Sequence, residues 1–171
     1  NYGDLIPELT ALGHVFRTRS DTEVIVHAWE AWGEACVDRF RGMFAFALWD
    51  EKQQTLFMAR DRLGVKPLYY AALPDGTWLF GSELKSLLAH GGIKRELDPR
   101  SVDDFFTLGY VPEPRTIFTS ALKLSPGHTL TLRFGCAEPA LELKSVWRAW
   151  PGPGPVENEV TIENRSAGDV V

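Results

Sequence analysis

The stretch GMFAFALWD, residues 42–50, decides the fold. If it forms a strand, apolar side chains lie on both of its faces, because every position from 43 to 49 is apolar. Such a pattern is typical of a strand covered on both sides, and a run this short cannot span a bilayer. The stretch therefore predicts the most buried strand of a covered sheet, with any chemistry at strand ends or in loops.

The segments after this stretch predict an antiparallel meander. The strand over 42–50 is expected to turn into a second strand over 55–60. A further hairpin joins 67–73 to 77–81 through Pro74-Asp75-Gly76, where proline and glycine preset the backbone angles of a turn. Later strands are expected at 129–134 and 141–146.

Helix signals precede the meander. Leucine spacing predicts a helix over residues 4–12 with Pro7 in its first turn, followed by a short strand over 14–18. Ser20 and Glu23 match the capping box S-x-x-E, in which Glu23 reaches back to the amide of Ser20. The next helix is expected to end at Gly33. A second short helix should follow over 34–40, and the apolar stripe of the first is expected to contain Ile25, Ala28, Trp29 and Trp32.

Two more helices are predicted after the meander. Ser82 can cap the first, and Asp98 can cap the second with Pro99 in its first turn. The core face of the second helix is expected to consist of Val102, Phe105 and Phe106.

Composition limits the function classes. The chain has 171 residues, 44% of them hydrophobic, which is typical of one ordinary globular domain. Its formal net charge of −5 disfavours a nucleic-acid or anionic-membrane surface. With only two cysteines and no signal peptide, a reducing cytoplasm is the expected compartment.

The usual metal and nucleophile patterns are missing from the sequence. The four histidines show no ligand spacing with one another or with a cysteine, so no metal site is predicted. Cys36 falls on an apolar helix face, which favours an inert core thiol over a nucleophile.

Three charged residues have two interpretations each from pattern alone. Asp21 is expected at the start of a helix, where a carboxylate is stabilised by the helix dipole or can bind an ammonium group. Arg60 and Asp61 follow a strand and precede a glycine, which favours a pair that fixes a loop over a substrate contact. Without further information the structural interpretation is favoured for all three.

Six linked runs resemble the glutamine-hydrolysing asparagine synthetases. They are SDTEVI at 20–25, RGMFAFALWD at 41–50, ARDRLGVKPLYY at 59–70, GSELKSLL at 81–88, GYVPEPRTIF at 109–118 and KLSPGH at 123–128. The resemblance covers roughly residues 1–150. It implies a class II glutamine amidotransferase domain of the α+β class, a four-layer αββα sandwich of antiparallel sheets of the N-terminal-nucleophile hydrolase type, incomplete at its N-terminus.

The resemblance also assigns roles to residues. Asp21 matches the aspartate that holds the α-amino group of glutamine, which reverses the preference stated above. Met43 and Val65 match positions at the mouth of the family's ammonia tunnel, and Arg60 and Asp61 match a motif with a mainly structural role. The family's nucleophilic cysteine is expected to lie before Asn1, so this chain is expected to contain no catalytic residue and to be inactive alone.

Domain organisation and partners follow from the same resemblance. Residues 1–150 are expected to form the amidotransferase domain, and 151–171 a Pro/Gly-rich linker to a synthetase domain in cis that binds ATP and Mg²⁺. The implied substrates are glutamine, aspartate and ATP, with no cofactor in this chain, no nucleic acid and no membrane; a homodimer is left open. Two alternatives remain: an amidotransferase with another acceptor, and a non-catalytic scaffold domain. Unpaired sheet edges beside residues 42–46 also predict poor solubility or oligomers.

Overall fold

The computed structural model describes residues 1–134 and the backbone of two later strands, Glu142–Ser145 and Val160–Glu163. It divides into two compact units, Asn1–Gly42 and Met43–Val171. No helix in the described part of the chain is both long enough and apolar enough to cross a membrane.

The first unit consists of helices. Helix α1 spans Tyr2–Ala11, helix α2 spans Asp21–Trp32, and a 3₁₀ helix spans Gly33–Arg39. Helix α1 starts two residues earlier than predicted, so Pro7 lies in its second turn, where its missing N–H removes one helical hydrogen bond. The buried apolar residues of this unit are Leu5, Leu9, Val24, Ala28, Trp29, Cys36 and Phe40.

The entry to α2 is partly as predicted. Ser20 is the N-cap, and its hydroxyl accepts a hydrogen bond from the Thr22 amide at 3.1 Å. The predicted strand over 14–18 is wrong, since these residues form no strand. Glu23 does not close the capping box, because its carboxylate accepts the amides of Arg17 and Thr18 instead. The side chain thus satisfies amides that a strand would have paired with a neighbour.

The described residues of the second unit form two antiparallel sheets and two helices. The five-stranded sheet has the order β1-β2-β6-β7-β8 and the three-stranded sheet the order β4-β3-β5. Helix α3 spans Leu84–Leu88 and helix α4 spans Pro99–Leu108. The strands are β1 Ala45–Asp50, β2 Thr55–Arg60, β3 Tyr69–Ala72, β4 Trp78–Gly81, β5 Leu122–Lys123, β6 Thr129–Arg133, β7 Glu142–Ser145 and β8 Val160–Glu163. This mixed helix and antiparallel-sheet composition is compatible with the predicted class.

Both predicted hairpins are present, but they do not form one meander. Strands β1 and β2 pair with Ala45 opposite Arg60 and Asp50 opposite Thr55, and β3 and β4 pair with Tyr69 opposite Gly81. The second hairpin belongs to the other sheet, because the loop after Arg60 carries the chain away from the first. Strand β6 then returns to pair with β2.

The predicted order of burial within the first hairpin is wrong. Strand β1 is half-buried and Trp49 is exposed, whereas all six residues of β2 are buried. The reason is the position in the sheet: among the described residues, β1 lies at an edge and pairs with β2, while β2 lies between β1 and β6. An apolar pattern on both faces does not distinguish an edge strand from a central one.

Each sheet has its own apolar cluster. Residues of β2 and β6 form the first, with Leu68 and Leu124; residues of β3 and α3 form the second, with Ile93 and Ala121. Polar residues are also buried beside the first cluster, among them Arg60 and Asp61 at the end of β2. The end of a fully buried strand thus carries two charged side chains in sequence.

The later helices differ from prediction in their details. Asp98 caps α4 as predicted, by accepting the amide of Arg100 at 3.1 Å. The predicted core face of α4 is wrong, because Phe105 is 50% and Phe106 83% exposed, and the buried residue of this helix is Ser101. Helix α3 begins after Glu83 rather than Ser82, and no side chain caps it.

The late strands β6 and β7 confirm the predicted segments. Strand β8 lies inside the predicted linker and pairs with β7. The rest of residues 146–171 lies outside the described part of the chain. The domain boundary at 150 stays a prediction.

Candidate functional site

Asp21 is the first residue of α2, and its carboxylate is exposed. Oδ1 accepts a hydrogen bond from the Thr22 amide at 2.8 Å, and the Ser20 hydroxyl donates to it at 3.3 Å. Oδ2 accepts no hydrogen bond from the described residues. The carboxylate is therefore oriented by its own helix start, with one oxygen open to solvent. This geometry suits both stabilisation of the helix dipole and binding of a cationic group.

Glu23 holds the loop that leads to Asp21, a role that the sequence did not predict. Its carboxylate accepts the amide of Arg17 at 2.7 Å and the amide of Thr18 at 2.6 Å. The Arg17 amide, followed by the Thr18 side chain, lowers the pKa of Glu23 to about 2. The carboxylate is therefore ionised throughout the neutral range and fixes the chain just before the N-cap.

Asp61 organises the loop that follows β2. Its carboxylate accepts three backbone amides, from Leu63 at 3.1 Å, Val65 at 3.0 Å and Lys66 at 2.9 Å. Burial would raise the pKa of this carboxyl group, but the amides that donate to it hold the pKa below its usual value. The loop thus stabilises the ionised carboxylate of Asp61, although this residue is only 1% exposed.

Arg60 binds backbone carbonyl groups of the same loop, whereas Asp61 binds its amides. Its guanidinium donates to the carbonyl oxygen atoms of Lys66 at 2.7 Å, Gly64 at 2.6 Å and Leu124 at 2.6 Å. It also forms an ion pair with Glu113 at 2.8 Å. A guanidinium can make this set because it presents several donors in a fixed fork. The arginine therefore joins the loop to two distant segments of the second unit.

Gly64 leaves space for this arrangement. Its φ of +63° lies in the left-handed region, and an added Cβ would lie 2.7 Å from Pro126 Cγ and 3.0 Å from an Arg60 guanidinium nitrogen. No other residue type fits both the backbone angle and the space. The loop 61–66 is therefore specified by three neighbouring features: a buried guanidinium, a buried carboxylate and a glycine.

The comparison with protein families decides the assignment of the chain. The family described as "Glutamine amidotransferase domain" matches residues 1–141. The chain belongs to this family.

Individual relatives agree with this. Asparagine synthetase [glutamine-hydrolyzing] 3 of Bacillus subtilis is 44% identical over 151 residues, which is 88% of this chain and 23% of the relative. A putative asparagine synthetase [glutamine-hydrolyzing] 2 of Methanocaldococcus jannaschii is 41% identical over 66% of this chain and 22% of its own length. Amidase chry2 of Gibberella zeae is 37% identical over 69% of this chain and 17% of its own length. The chain thus spans less than a quarter of each of these relatives.

Met43 and Val65 of this amidotransferase domain are exposed apolar residues, at 63% and 50%. Asp61 forms hydrogen bonds with the backbone next to Met43 and with the backbone of Val65. Its amide donates to the Phe44 carbonyl at 2.8 Å, and its carboxylate accepts the Val65 amide. The residue after Met43 and the backbone of Val65 are therefore both bound to Asp61. Asp21 belongs to the other unit.

A cavity of about 440 Å³ lies in the second unit of the amidotransferase domain. Tyr69, Phe105, Tyr110 and Lys123 are among its lining residues, and its wall is mostly apolar. The Lys123 ammonium donates to the Val111 carbonyl at 2.7 Å. Burial lowers the pKa of Lys123, while the neighbouring Glu113 acts in the opposite direction. No residue of this cavity was predicted to be functional.

Cys36 has none of the properties of a nucleophile. It is fully buried, and burial raises its pKa to about 12. The predicted core position is confirmed, and its inertness stays a prediction that the raised pKa supports, since a thiolate rather than a thiol is the reactive form. Cys136, the other cysteine, lies outside the described residues.

Proposed function

We propose that this chain is the glutamine-holding part of the glutaminase domain of an asparagine synthetase. The family match over residues 1–141 carries the proposal, and the relatives named as glutamine-hydrolysing asparagine synthetases support it. Their domain would hydrolyse glutamine to glutamate and ammonia. In the full protein, ammonia would then react with an aspartate that ATP has activated, giving asparagine, AMP and pyrophosphate.

Asp21 would bind the α-ammonium group of glutamine. Its position supports this role, because Oδ1 is held by the helix start while Oδ2 is open. A carboxylate fixed in this way loses little freedom when it binds a cation, so its charge can contribute to affinity. An exposed site also allows a small amino acid to enter and leave.

Met43 and Val65 would line the start of the path taken by ammonia. An apolar lining suits a neutral molecule, because it offers no charged group to protonate or hold it. Arg60 and Asp61 would support this lining by fixing the loop that carries Val65. ATP and Mg²⁺ would be bound outside this chain, so no residue here is assigned to them.

The complete domain would adopt the four-layer αββα sandwich of antiparallel sheets. Two antiparallel sheets with helices are compatible with it. We also propose that the 171-residue chain alone does not hydrolyse glutamine; the burial of Cys36, the one cysteine among the described residues, supports this. Ammonia release above background by the isolated chain would contradict this part of the proposal.

Asp21→Asn in the full-length protein tests the central assignment. Loss of a charge-assisted contact with the substrate should raise KM for glutamine by roughly 10-fold or more, since such a contact contributes about 1.5–3 kcal/mol. Asparagine formation from added ammonia should not change, because it bypasses glutamine. Asp4→Asn, another exposed acidic residue of the same unit, is the matched control. An unchanged KM for glutamine, or an equal loss of the ammonia-dependent activity, would refute the assignment.

The relative named amidase chry2 supports a second candidate, in which the glutaminase serves another acceptor. The two candidates share every residue proposed above and differ outside this chain. Supplying the full-length protein with glutamine, ATP and a panel of carboxylic acids, and identifying the amide product by mass spectrometry, distinguishes them. Asparagine as the main product supports the first candidate, and another amide supports the second.

A further inference from the structure

Two histidines and a glutamate converge in the first unit, and one of the histidines lies beside Glu23. His27 and Glu30 lie one turn apart on α2, and His14 lies in the loop after α1. His14 Nδ1 is 3.2 Å from His27 Nδ1, which is 2.9 Å from Glu30 Oε2. The third side of the triangle, from His14 Nδ1 to Glu30 Oε2, measures 3.4 Å. Each residue thus offers one ligand atom to a common point.

The size of this triangle matches one face of a coordination tetrahedron. Zinc binds nitrogen and oxygen ligands at about 2.0–2.1 Å, so neighbouring ligand atoms of a tetrahedral site lie roughly 3.3 Å apart. The three observed separations bracket this value. Two nitrogens and one carboxylate oxygen are also a donor set that zinc and similar divalent transition metals accept.

Hydrogen bonds among these three atoms satisfy them less fully than a bound cation would. His27 Nδ1 lies within bonding distance of both His14 Nδ1 and Glu30 Oε2, yet it can carry only one hydrogen. A bound cation satisfies all three atoms at once, because each then directs a lone pair toward the ion. One ion can therefore contact all three atoms, whereas a single hydrogen on His27 Nδ1 can point to only one of the other two.

A second carboxylate, that of Glu23, lies near the other ring nitrogen of His27. His27 Nε2 is buried and has no hydrogen-bond partner among the described residues, and the nearest carboxylate oxygen is Glu23 Oε1 at 3.7 Å. Metal-binding histidines usually direct their other ring N–H toward a carboxylate, which fixes the tautomer. Glu23 is itself held by the amides of Arg17 and Thr18. Glu23 is therefore the nearest carboxylate to His27 Nε2, although the 3.7 Å separation is longer than a hydrogen bond.

We propose that His14, His27 and Glu30 bind one divalent transition metal ion, such as Zn²⁺, with water at the fourth position. Glu30 is 54% exposed, which leaves an open side for entry of the ion and for the water. The ion would join the loop after α1 to α2 and stabilise the first unit, because it binds the folded chain. Spacing alone missed the site, since His14 comes from a loop 13 residues before His27.

Cobalt titration of the protein tests this proposal. The protein is prepared without a histidine tag, stripped with a chelator, and titrated with Co²⁺ while visible absorption is recorded. Binding of one Co²⁺ per chain with the strong bands of four-coordinate cobalt is expected, and Zn²⁺ should displace it and raise Tm.

Variants locate the ion. His14→Ala and Glu30→Gln should each weaken Co²⁺ binding at least 10-fold, and Glu23→Gln should weaken it roughly 10-fold through His27. His90→Ala removes an exposed histidine of the other unit and should leave binding unchanged. Circular dichroism checks that each variant is folded, and Glu30→Gln, at an exposed position, keeps the test valid if a histidine variant unfolds. Absence of stoichiometric binding, or equal binding by wild type and Glu30→Gln, would overturn the proposal.

Discussion

Replacement of Asp61 by asparagine tests how the loop after β2 is held. The carboxylate accepts three amides and is 1% exposed. Asparagine has nearly the same shape, so it keeps an acceptor for the amides of Leu63 and Val65. Its NH₂ group, however, would face the Lys66 amide, and two donors cannot bond to each other. The substitution therefore removes one hydrogen bond and the charge from two others.

The magnitude follows from these contacts. Hydrogen bonds to a charged group contribute about 1.5–3 kcal/mol each and neutral ones about 0.5–1.5 kcal/mol, but contributions within one network are not additive. We expect Asp61→Asn to lower the free energy of unfolding by about 2–3 kcal/mol, and Asp61→Ala by about 3–5 kcal/mol. For a chain of this length, the smaller loss lowers Tm by roughly 4–12 °C.

Urea unfolding followed by circular dichroism and tryptophan fluorescence measures the effect. Asp75→Asn is the matched control, because Asp75 also accepts a backbone amide, that of Thr77 at 2.9 Å, but is exposed in a turn. Its loss should stay below about 1 kcal/mol. If both variants lose the same free energy of unfolding, the buried carboxylate does not hold the loop and the reasoning is wrong.

The pH dependence gives an independent check. The pKa of Asp61 is lower in the folded chain than in the unfolded chain, where it is about 3.9. Its stabilisation is therefore complete above the unfolded pKa and is lost as pH falls through the lower folded pKa. Wild type and Asp61→Asn should differ by a constant free energy between about pH 5 and 7 and converge in strong acid. A difference that grows on acidification would contradict the sign.

Three further predictions use substitutions elsewhere. Phe57→Ala should lower the free energy of unfolding by about 3–5 kcal/mol because Phe57 is fully buried, whereas Phe106→Ala should change it by less than about 0.5 kcal/mol in the same urea assay. Cys36, with a pKa of about 12, should react with a thiol reagent at pH 8 only after denaturation. The reaction is measured in a variant whose other cysteine is replaced by serine, and rapid reaction of the folded chain would contradict the prediction. Gly64→Ala should lower Tm more than Gly76→Ala, because both glycines have positive φ but only Gly64 lacks space for a Cβ; equal losses would refute the steric argument.

The sequence predicted the features that depend on neighbouring residues. The turn at Pro74-Asp75-Gly76, the N-cap Ser20 and the N-cap Asp98 are present as expected. Each is determined by residues within a few positions, so local chemistry is sufficient. The paired strands β1 and β2 were also predicted, because two apolar runs separated by a short polar turn favour a hairpin.

Features that depend on distant residues were not predicted. The partner of Arg60 is Glu113, 53 positions later, and no local pattern connects the two. The burial of β2 over β1 depends on β6, which joins the sheet about 70 residues later. Glu23 was assigned to a capping box because the motif matched, but the amides of Arg17 and Thr18 compete for the same carboxylate. The first two features depend on tertiary contacts, whereas the third depends on competing amides five and six positions before Glu23.

The pair Arg60 and Asp61 shows why structural and functional interpretations were hard to separate from sequence. Arg60 supplies donors to the carbonyls of Gly64 and Lys66, while Asp61 supplies acceptors to the amides of Val65 and Lys66. Two neighbouring residues of opposite charge thus satisfy both kinds of backbone group in one short loop, without a helix or a strand. The same loop presents Val65, whose side chain we propose lines an ammonia path. The contacts of Arg60 and Asp61 that fix the loop backbone therefore also position this side chain. A residue can therefore support function without touching a substrate, and mutations of Arg60 or Asp61 should affect stability and the use of glutamine-derived ammonia together.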